Sequence, residues 1–256
     1  MAMEGSARST FRSSLRRLSS AQKSGKGAPP YSLFVNRPVG RVFAASAYQL
    51  GLTPNQVTGL SAVFTFASIG VLALVPPVWW LGLPVGAGLI IGYALDSADG
   101  QLARLRGGGS PDGEWLDHMI DAVKVVAVHL VVLISWFRYS DRFVPEVPEP
   151  LLLVPIGSAL VSSVHFFGMI LVDLMGRLAR AERGEAAPPP QAASLIKTLL
   201  KLPTDYGLLC LLFLFWGVPW VFPVGYTLMA VATAGYLLLV VIKWRSDVQA
   251  MKRVAP

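Results

Sequence analysis

"WWLGLPVGAGLIIGYALDSADGQLARLRGGGSPDGEWLDHMIDAVKVVAVHLVVLISWF", residues 79–137, sets two apolar runs on either side of an acidic segment interrupted by glycine. Neither the run at 79–95 nor the run at 125–137 carries a charge. Between them stand Asp96, Asp99, Asp117 and Asp121. Like charges about 5 Å apart repel by roughly 3 kcal/mol per pair at an effective dielectric near 20, so something positive must sit among them.

Outward from this stretch the same texture continues. Charge-free apolar runs recur at 57–75, 151–172, 206–222 and 224–242. A helix of about 20 apolar residues crosses the hydrocarbon core of a bilayer, so six transmembrane helices are expected, in an all-α integral membrane protein. Composition agrees. The chain of 256 residues is 54% hydrophobic and only 14% charged, where a soluble domain carries about a quarter charged residues. Its mean hydropathy is +0.55.

Charge placement orients the spans. Eight Lys and Arg precede residue 57, two lie at 96–116, five at 177–201 and four from Lys243 onward. With six spans these segments all fall on one face, which the positive-inside rule makes cytoplasmic, with both termini there. The net charge of +7 then marks contact with membrane lipid and not with nucleic acid. The single cysteine, Cys210, lies within an apolar run and rules out an intrachain disulfide.

Residues 1–30 are rich in Ser and Arg and lack an apolar core, which excludes a secretory signal peptide and predicts a disordered basic cytoplasmic tail. The membrane domain is expected over 31–256. Pro38 opens a helix that carries Val39, Val42, Phe43 and Leu50 at helical spacing and stops at Gly51. This is expected to be an amphipathic helix lying in the interface, with Arg37 and Arg41 toward phosphates. Thr53–Pro54 supplies the cap and first turn of the first span.

The acids can converge. Asp96 and Asp99 are spaced i, i+3, and Asp117 and Asp121 are spaced i, i+4, so each pair shares a helix face. Gly107–Gly108–Gly109 permits a tight reversal, after which Ser110–Pro111 caps the next helix. Ionisable groups at such depth are costly and carry function. Ligands with only oxygen donors point to Mg²⁺, with Mn²⁺ as its relative, and four carboxylates have room for two ions.

The spacing D-x2-D-G-x2-A-R-x8-G-x3-D-x3-D is met in full by Asp96, Asp99, Gly100, Ala103, Arg104, Gly113, Asp117 and Asp121. In this the chain resembles the CDP-alcohol phosphotransferase (CDP-alcohol phosphatidyltransferase) family of phospholipid-synthesising membrane enzymes. The resemblance extends to the six spans, the interfacial helix and "TPNQVT" at 53–58. It implies transfer of a substituted phosphoryl group from a CDP-linked donor to an alcohol, with release of CMP. It implies that Asp96, Asp99, Asp117 and Asp121 bind metal and that Asp121 is also the general base. Gly100 and Ala103 would make room for the cytidine, and Arg104 would hold the pyrophosphate. Asn55, Thr58 and Ser110 would line the nucleotide site, and Gly113 would be a point of close helix packing. A homodimer in a bacterial cell membrane is the assembly it implies.

Other polar residues have weaker assignments. His118 follows Asp117 as in the choline/ethanolamine branch of that family and is a candidate accessory group. Lys124, one turn past Asp121, is expected to pair with it or with phosphate. His129, His165 and Asp173 are expected to be satisfied internally, with His165, Ser162 and Ser163 as a candidate acceptor lining. Arg37, Arg41, Arg177, Arg180, Lys197 and Lys201 are candidates for a phosphorylated acceptor.

Two substrate pairings are open: CDP-diacylglycerol with a polyol or polyol phosphate, and a CDP-linked polar alcohol with a lipid or sugar-phosphate acceptor. A divalent-ion transporter is the competing class. Against it, the acids gather at one membrane face, and neither an inverted repeat nor a broken-helix pattern is visible.

Overall fold

The computed structural model describes residues 11–20, 27–143, 147–186 and 194–252. Helices make up its regular structure, with no strand among the described residues. In chain order they are α1 (Phe11–Ser20), α2 (Arg37–Gln49), α3 (Pro54–Leu74), α4 (Gly82–Leu105) and α5 (Pro111–Arg138). There follow α6 (Ser140–Phe143), α7 (Leu153–Glu182), α8 (Leu195–Leu199), α9 (Tyr206–Leu212) and α10 (Val221–Lys252).

Local chemistry sets the helix starts that matter for the site. Thr53 closes a capping box with Gln56 ahead of α3. Ser110 accepts from the Gly113 N–H at 3.3 Å ahead of α5, behind Pro111 in the first turn. Between α4 and α5, Gly107 and Gly108 take φ of +104° and +139°, a backbone that a side chain would strain. The reversal expected at the three glycines is thus formed.

Helices α3, α5, α7 and α10 are long and apolar enough to cross a membrane. Helix α4 is 24 residues long but less apolar, because it is rich in glycine and ends in Asp96, Asp99 and Arg104. The run at 206–222 differs from the expectation of one long helix. It forms α9 and a 3-10 turn at Phe213–Phe215, then bends through Gly217 and Trp220, both at positive φ. Ten helical residues reach about 15 Å, half of a bilayer core of about 30 Å. The chain is an integral membrane protein, with four such spans among its described helices.

Small residues bring the helices together. At Gly40 of α2 an added Cβ would lie 2.9 Å from Ser97 of α4, and Ala44, Ala45, Ala47, Ala98 and Leu102 fill the surrounding contact. Such close approach lets dispersion act between helices, where lipid removes the hydrophobic drive. The expected helix after Pro38 is therefore present, but its small-residue face is the one buried, while Val39, Val42 and Leu50 point outward. A second buried cluster, with Trp136, Phe213, Trp216, Phe222 and Tyr226, fastens α5, α9 and α10 at the opposite end.

The expected disordered tail is corrected in part. Its residues 11–20 form α1, whose Leu18 is fully buried with the α2–α4 cluster. Arg17 Nη2 donates to the Leu105 carbonyl at 3.2 Å, placing a cation at the negative end of α4. Sequence reading misses this helix because serine and arginine dominate it and only Phe11, Leu15 and Leu18 repeat at helical spacing. Residues 1–10 and 21–26 of the tail lie outside the described residues.

Candidate active site

The last three turns of α4 and the first three of α5 bring the acids together. Asp96, Asp117 and Asp121 each place one ligand oxygen within 4.8 Å of the others. Three carboxylates that close, with no softer donor, suit a hard divalent cation. Asp99 stands apart. It is 6% exposed, and its Oδ2 accepts from Thr58 Oγ1 at 2.6 Å.

The positive charge demanded by the acids is Lys124. Its side chain is buried, and Nζ donates to Asp96 Oδ1 at 2.9 Å and to Asp121 Oδ1 at 2.5 Å. The Tyr206 ring lies 5.8 Å away. One ammonium thus ties α4 to α5 across the carboxylates.

A hollow lies on each side of this junction. The smaller, about 160 Å³, is bounded by Asp96, Asp99, Gly100, Asp117, Arg37 and Arg104. Gly100 leaves its wall open, since an added Cβ would meet only Arg104 Nη1 at 3.6 Å. Gln101, also on this wall, donates to the Arg37 carbonyl at 3.0 Å and fixes α2 over α4. Burial pulls the Arg37 guanidinium below its usual range, with Tyr93 opposing. The hollow is polar, with two guanidiniums facing three acids.

The larger hollow, about 340 Å³, runs between α5, α7, α9 and α10. Asp121 and Lys124 form one end, and Val125, Val128, Val161, Leu209 and Met229 form its walls. Deeper lies a hydrogen-bonded trio: His129 Nδ1 is 2.7 Å from Tyr226 Oη, and His129 Nε2 is 2.9 Å from Ser162 Oγ. Lys201 stands at its edge, bonded to the Gly27 carbonyl at 2.6 Å. Burial, with Lys243 adding to it, lowers the Lys201 ammonium below the usual lysine range.

The structure gathers some expected residues and disperses others. Thr58, Gly100 and Arg104 lie at the acids. Asn55 Nδ2 donates instead to Asp112 at 3.2 Å, and Ser110 serves as the α5 cap. Ala103 is on α4 beside Arg104 without lining either hollow. Gly113 packs as expected, since a Cβ there would sit 3.1 Å from Asn55 Oδ1. His118 points away, 3.9 Å from Glu114 and edge-on to Phe166, because its position on α5 faces α7. His129 is satisfied internally, whereas Asp173 pairs with Arg177 at 3.1 Å. His165 and Ser162 line the large hollow, but Ser163 turns to the Ala159 carbonyl.

Sequence reading passes over Asp205 and Tyr226. Asp205 is fully buried, accepts from the Tyr31 N–H at 2.6 Å and caps α9 through Gly207. Burial raises its carboxyl above the usual aspartate range, and those backbone N–H groups oppose the rise. The signal available was Thr204–Asp205 as a cap before an apolar run.

Comparison with known proteins follows this geometry. A family model described as CDP-alcohol phosphatidyltransferase matches residues 51–242. Cholinephosphotransferase 1 of Xenopus laevis is 31% identical over 108 residues, which are 40% of this chain and 25% of that protein. The chain thus aligns with about a quarter of that relative's length. Two solved structures of Mycobacterium tuberculosis phosphatidylinositol phosphate synthase are similar at 23% identity. The one with CDP-DAG bound has a TM-score of 0.47 and covers 80% of this chain and 90% of its own. The one in complex with manganese and citrate has a TM-score of 0.48 and covers 82% and 88%.

Proposed function

The chain belongs to the CDP-alcohol phosphatidyltransferase family, and on that premise we propose how its two hollows divide the reaction. The protein is a membrane-bound transferase of phospholipid synthesis. In the proposed reaction a CDP-linked donor lies in the polar hollow, with its pyrophosphate toward Arg104 and Arg37, and an alcohol enters the larger one. The observation that carries this reading is that both hollows end at one carboxylate junction, where Asp121 faces the larger and Asp96, Asp99 and Asp117 face the smaller.

Asp96, Asp117 and Asp121 would hold a divalent cation, Mg²⁺ in this proposal, and Asp99 would join a second ion by giving up its bond to Thr58. When bound, the metal supplies charge neutralisation of the pyrophosphate and of the departing CMP. Asp121 takes the acceptor's hydroxyl proton. The acceptor oxygen forms a bond to the phosphorus that bears the donor's alcohol. The bond from that phosphorus to the bridging oxygen breaks, and its electron pair leaves with CMP. Arg104 keeps the donor in line through charge-assisted hydrogen bonds.

The first substrate pairing is CDP-diacylglycerol with a polyol acceptor. The second, a CDP-linked polar alcohol with a lipid acceptor, is favoured by the apolar walls of the larger hollow. For topology we propose six crossings, with the 206–222 run counted as one, and with the site, both termini and α2 at the cytoplasmic face. A homodimer is the proposed assembly, and the membrane domain starts near residue 31.

The test is CMP release by the purified protein from each CDP donor, with Mg²⁺ or with chelator. Release that needs the divalent ion supports the reaction. Ion flux into proteoliposomes without CMP release would instead establish a transporter. A cysteine placed at Asp141 should react with an impermeant label in intact cells, and one at Ser20 should not. The reverse pattern overturns the orientation.

A further inference from the structure

We propose that α1 is a buttress for the donor hollow, in which Leu18 and Arg17 are positioning residues that fix the end of α4 and so set where Arg104 stands against Arg37. This rests on the donor reading proposed above. It adds to that reading a segment that lies before the matched residues 51–242.

The first support is the place of Leu18. Asp96, Gly100 and Arg104 recur every fourth residue along the face of α4 that lines the hollow. Ala98, Leu102 and Leu105 lie about 170° round the helix from them, and these are the α4 residues that pack in the Leu18 cluster. The same cluster takes in Ala44 and Ala45 of α2, the helix that carries Arg37. Leu18 is fully buried there, and so is Ser14, one turn earlier on the same face of α1. One side chain thus packs behind both walls of the hollow.

The second support is Arg17. The last carbonyls of a helix have no partner within its regular ladder. The turn after α4 takes up those of Ala103 and Arg104, through the N–H groups of Arg106, Gly107 and Gly108. The Leu105 carbonyl accepts from Arg17 Nη2 at 3.2 Å. The glycines beyond give no support of their own, since an added Cβ at Gly107, Gly108 or Gly109 would meet open space. The end of α4 is held instead by two arginines, Arg17 and Arg106, the second donating to the Leu52 carbonyl at 2.8 Å.

The third support is the load on that end. Arg37 and Arg104 are like charges lining one hollow, and they repel until an anion lies between them. Earlier in α4, Asp96 is pinned to α5 through Lys124 at 2.9 Å, and Gln101 is bonded to the Arg37 carbonyl at 3.0 Å. Beyond Gln101, the turn that carries Arg104 has Leu18 behind it and Arg17 on its last carbonyl. Loosening α1 therefore moves Arg104 and leaves the carboxylates in place.

The experiment uses the full chain in lipid nanodiscs with Mg²⁺. Calorimetry measures CDP binding, and CMP release is followed against the concentration of CDP-diacylglycerol and of CDP-ethanolamine. Leu18→Ala and Arg17→Ala should each raise donor KM and CDP Kd by about fivefold or more, with kcat at saturating donor within about twofold. Leu18→Met keeps the volume and should match the wild type. Arg17→Lys keeps a cation at the helix end and should recover most of the loss. Arg16→Ala removes the same charge from the exposed face of α1 and should change neither constant. A variant that merely folds less well would show fewer CDP sites at the wild-type Kd. That result, or unchanged constants in both alanine variants, overturns the buttress while the donor reading stands. An equal shift in Arg16→Ala overturns the assignment of Arg17, since charge on the tail alone would then suffice. No CDP binding and no CMP release by the wild type overturns the donor reading and the buttress with it.

Discussion

The two hollows meet at the same carboxylates yet are made of different materials. The donor side is small and charged, walled by the end of α4 and by Arg37 of α2. The proposed acceptor side is about twice as large and mostly apolar, with His129 bonded to Tyr226 and Ser162 and with Lys201 bonded to the Gly27 carbonyl. Charge holds a ligand by a few directional bonds, so the proposed donor side would fix one geometry at a bound pyrophosphate. Apolar walls recognise shape and exclude water, and water is the acceptor that would waste the donor. In the proposed reaction the junction would set reactivity and the larger hollow would set substrate choice.

Changes at the junction should have the largest effects. Asp117→Asn removes a ligand oxygen from a set that spans only 4.8 Å, and should abolish turnover together with divalent-ion binding measured by calorimetry. Asp121→Asn keeps the shape and one oxygen but takes up no proton at neutral pH. Turnover should fall by about 10²- to 10⁴-fold, with donor affinity changed far less. Equal losses in both would make Asp121 chiefly a ligand and send the search for a base elsewhere.

Lys124→Met should be read first in stability. It leaves Asp96 and Asp121 facing each other without the buried ammonium, and breaking such a pair costs about 3–5 kcal/mol. Thermal unfolding in detergent should shift downward, and Mg²⁺ should restore more of the loss than it adds to the wild type. An equal shift with and without Mg²⁺ would show that the lysine and the ion do not serve the same acids.

Effects confined to one hollow should be smaller and should separate the two. Arg104→Ala should weaken donor binding by about 1.5–3 kcal/mol, roughly 10- to 150-fold in Kd, with acceptor KM unchanged. His129→Leu should do the opposite, raising acceptor KM by about fivefold through one lost hydrogen bond of about 1 kcal/mol. If either variant moves both constants together, the division between the hollows is wrong.

The donor side and the junction were legible because they are written as spacing. Two aspartate pairs at i, i+3 and i, i+4 around a glycine reversal dictate convergence, and like-charge repulsion called for a positive charge among them, read from sequence as a metal ion, with Lys124 expected only to pair with Asp121 or with phosphate. The acceptor side was not legible, since it is assembled from α5, α7, α9 and α10 and no local pattern joins Ser162 to Tyr226. His118 misled because adjacency to Asp117 in sequence turns a helical residue about 100° away from it in space. Asp99 is similar: its hydroxyl partner, Thr58, comes from another helix. The break after α9 was hidden by composition, because an apolar run reads alike whether its chain is helical or bent.

The irregular backbone before α9 and the larger hollow are one construction. Irregular backbone at membrane depth survives only where protein covers it or a cavity borders it, since lipid offers no hydrogen bonds. Before α9 the chain passes through Lys201–Asp205, four residues of which, Lys201, Pro203, Thr204 and Asp205, also line the hollow. Its freed polar groups are taken up locally. Thr233 Oγ1 donates to the Pro203 carbonyl at 2.6 Å, and Asp205 receives the N–H groups of Tyr31 and Gly207. Tyr31 lies so close over Gly207 that any Cβ there would overlap its ring. A regular helix through 201–215 would release Tyr31 and fill the hollow with its own side chains. In evolutionary terms, lengthening α9 at its start by one turn would draw in residues that now line the hollow, and with them the room that the proposed second substrate would use.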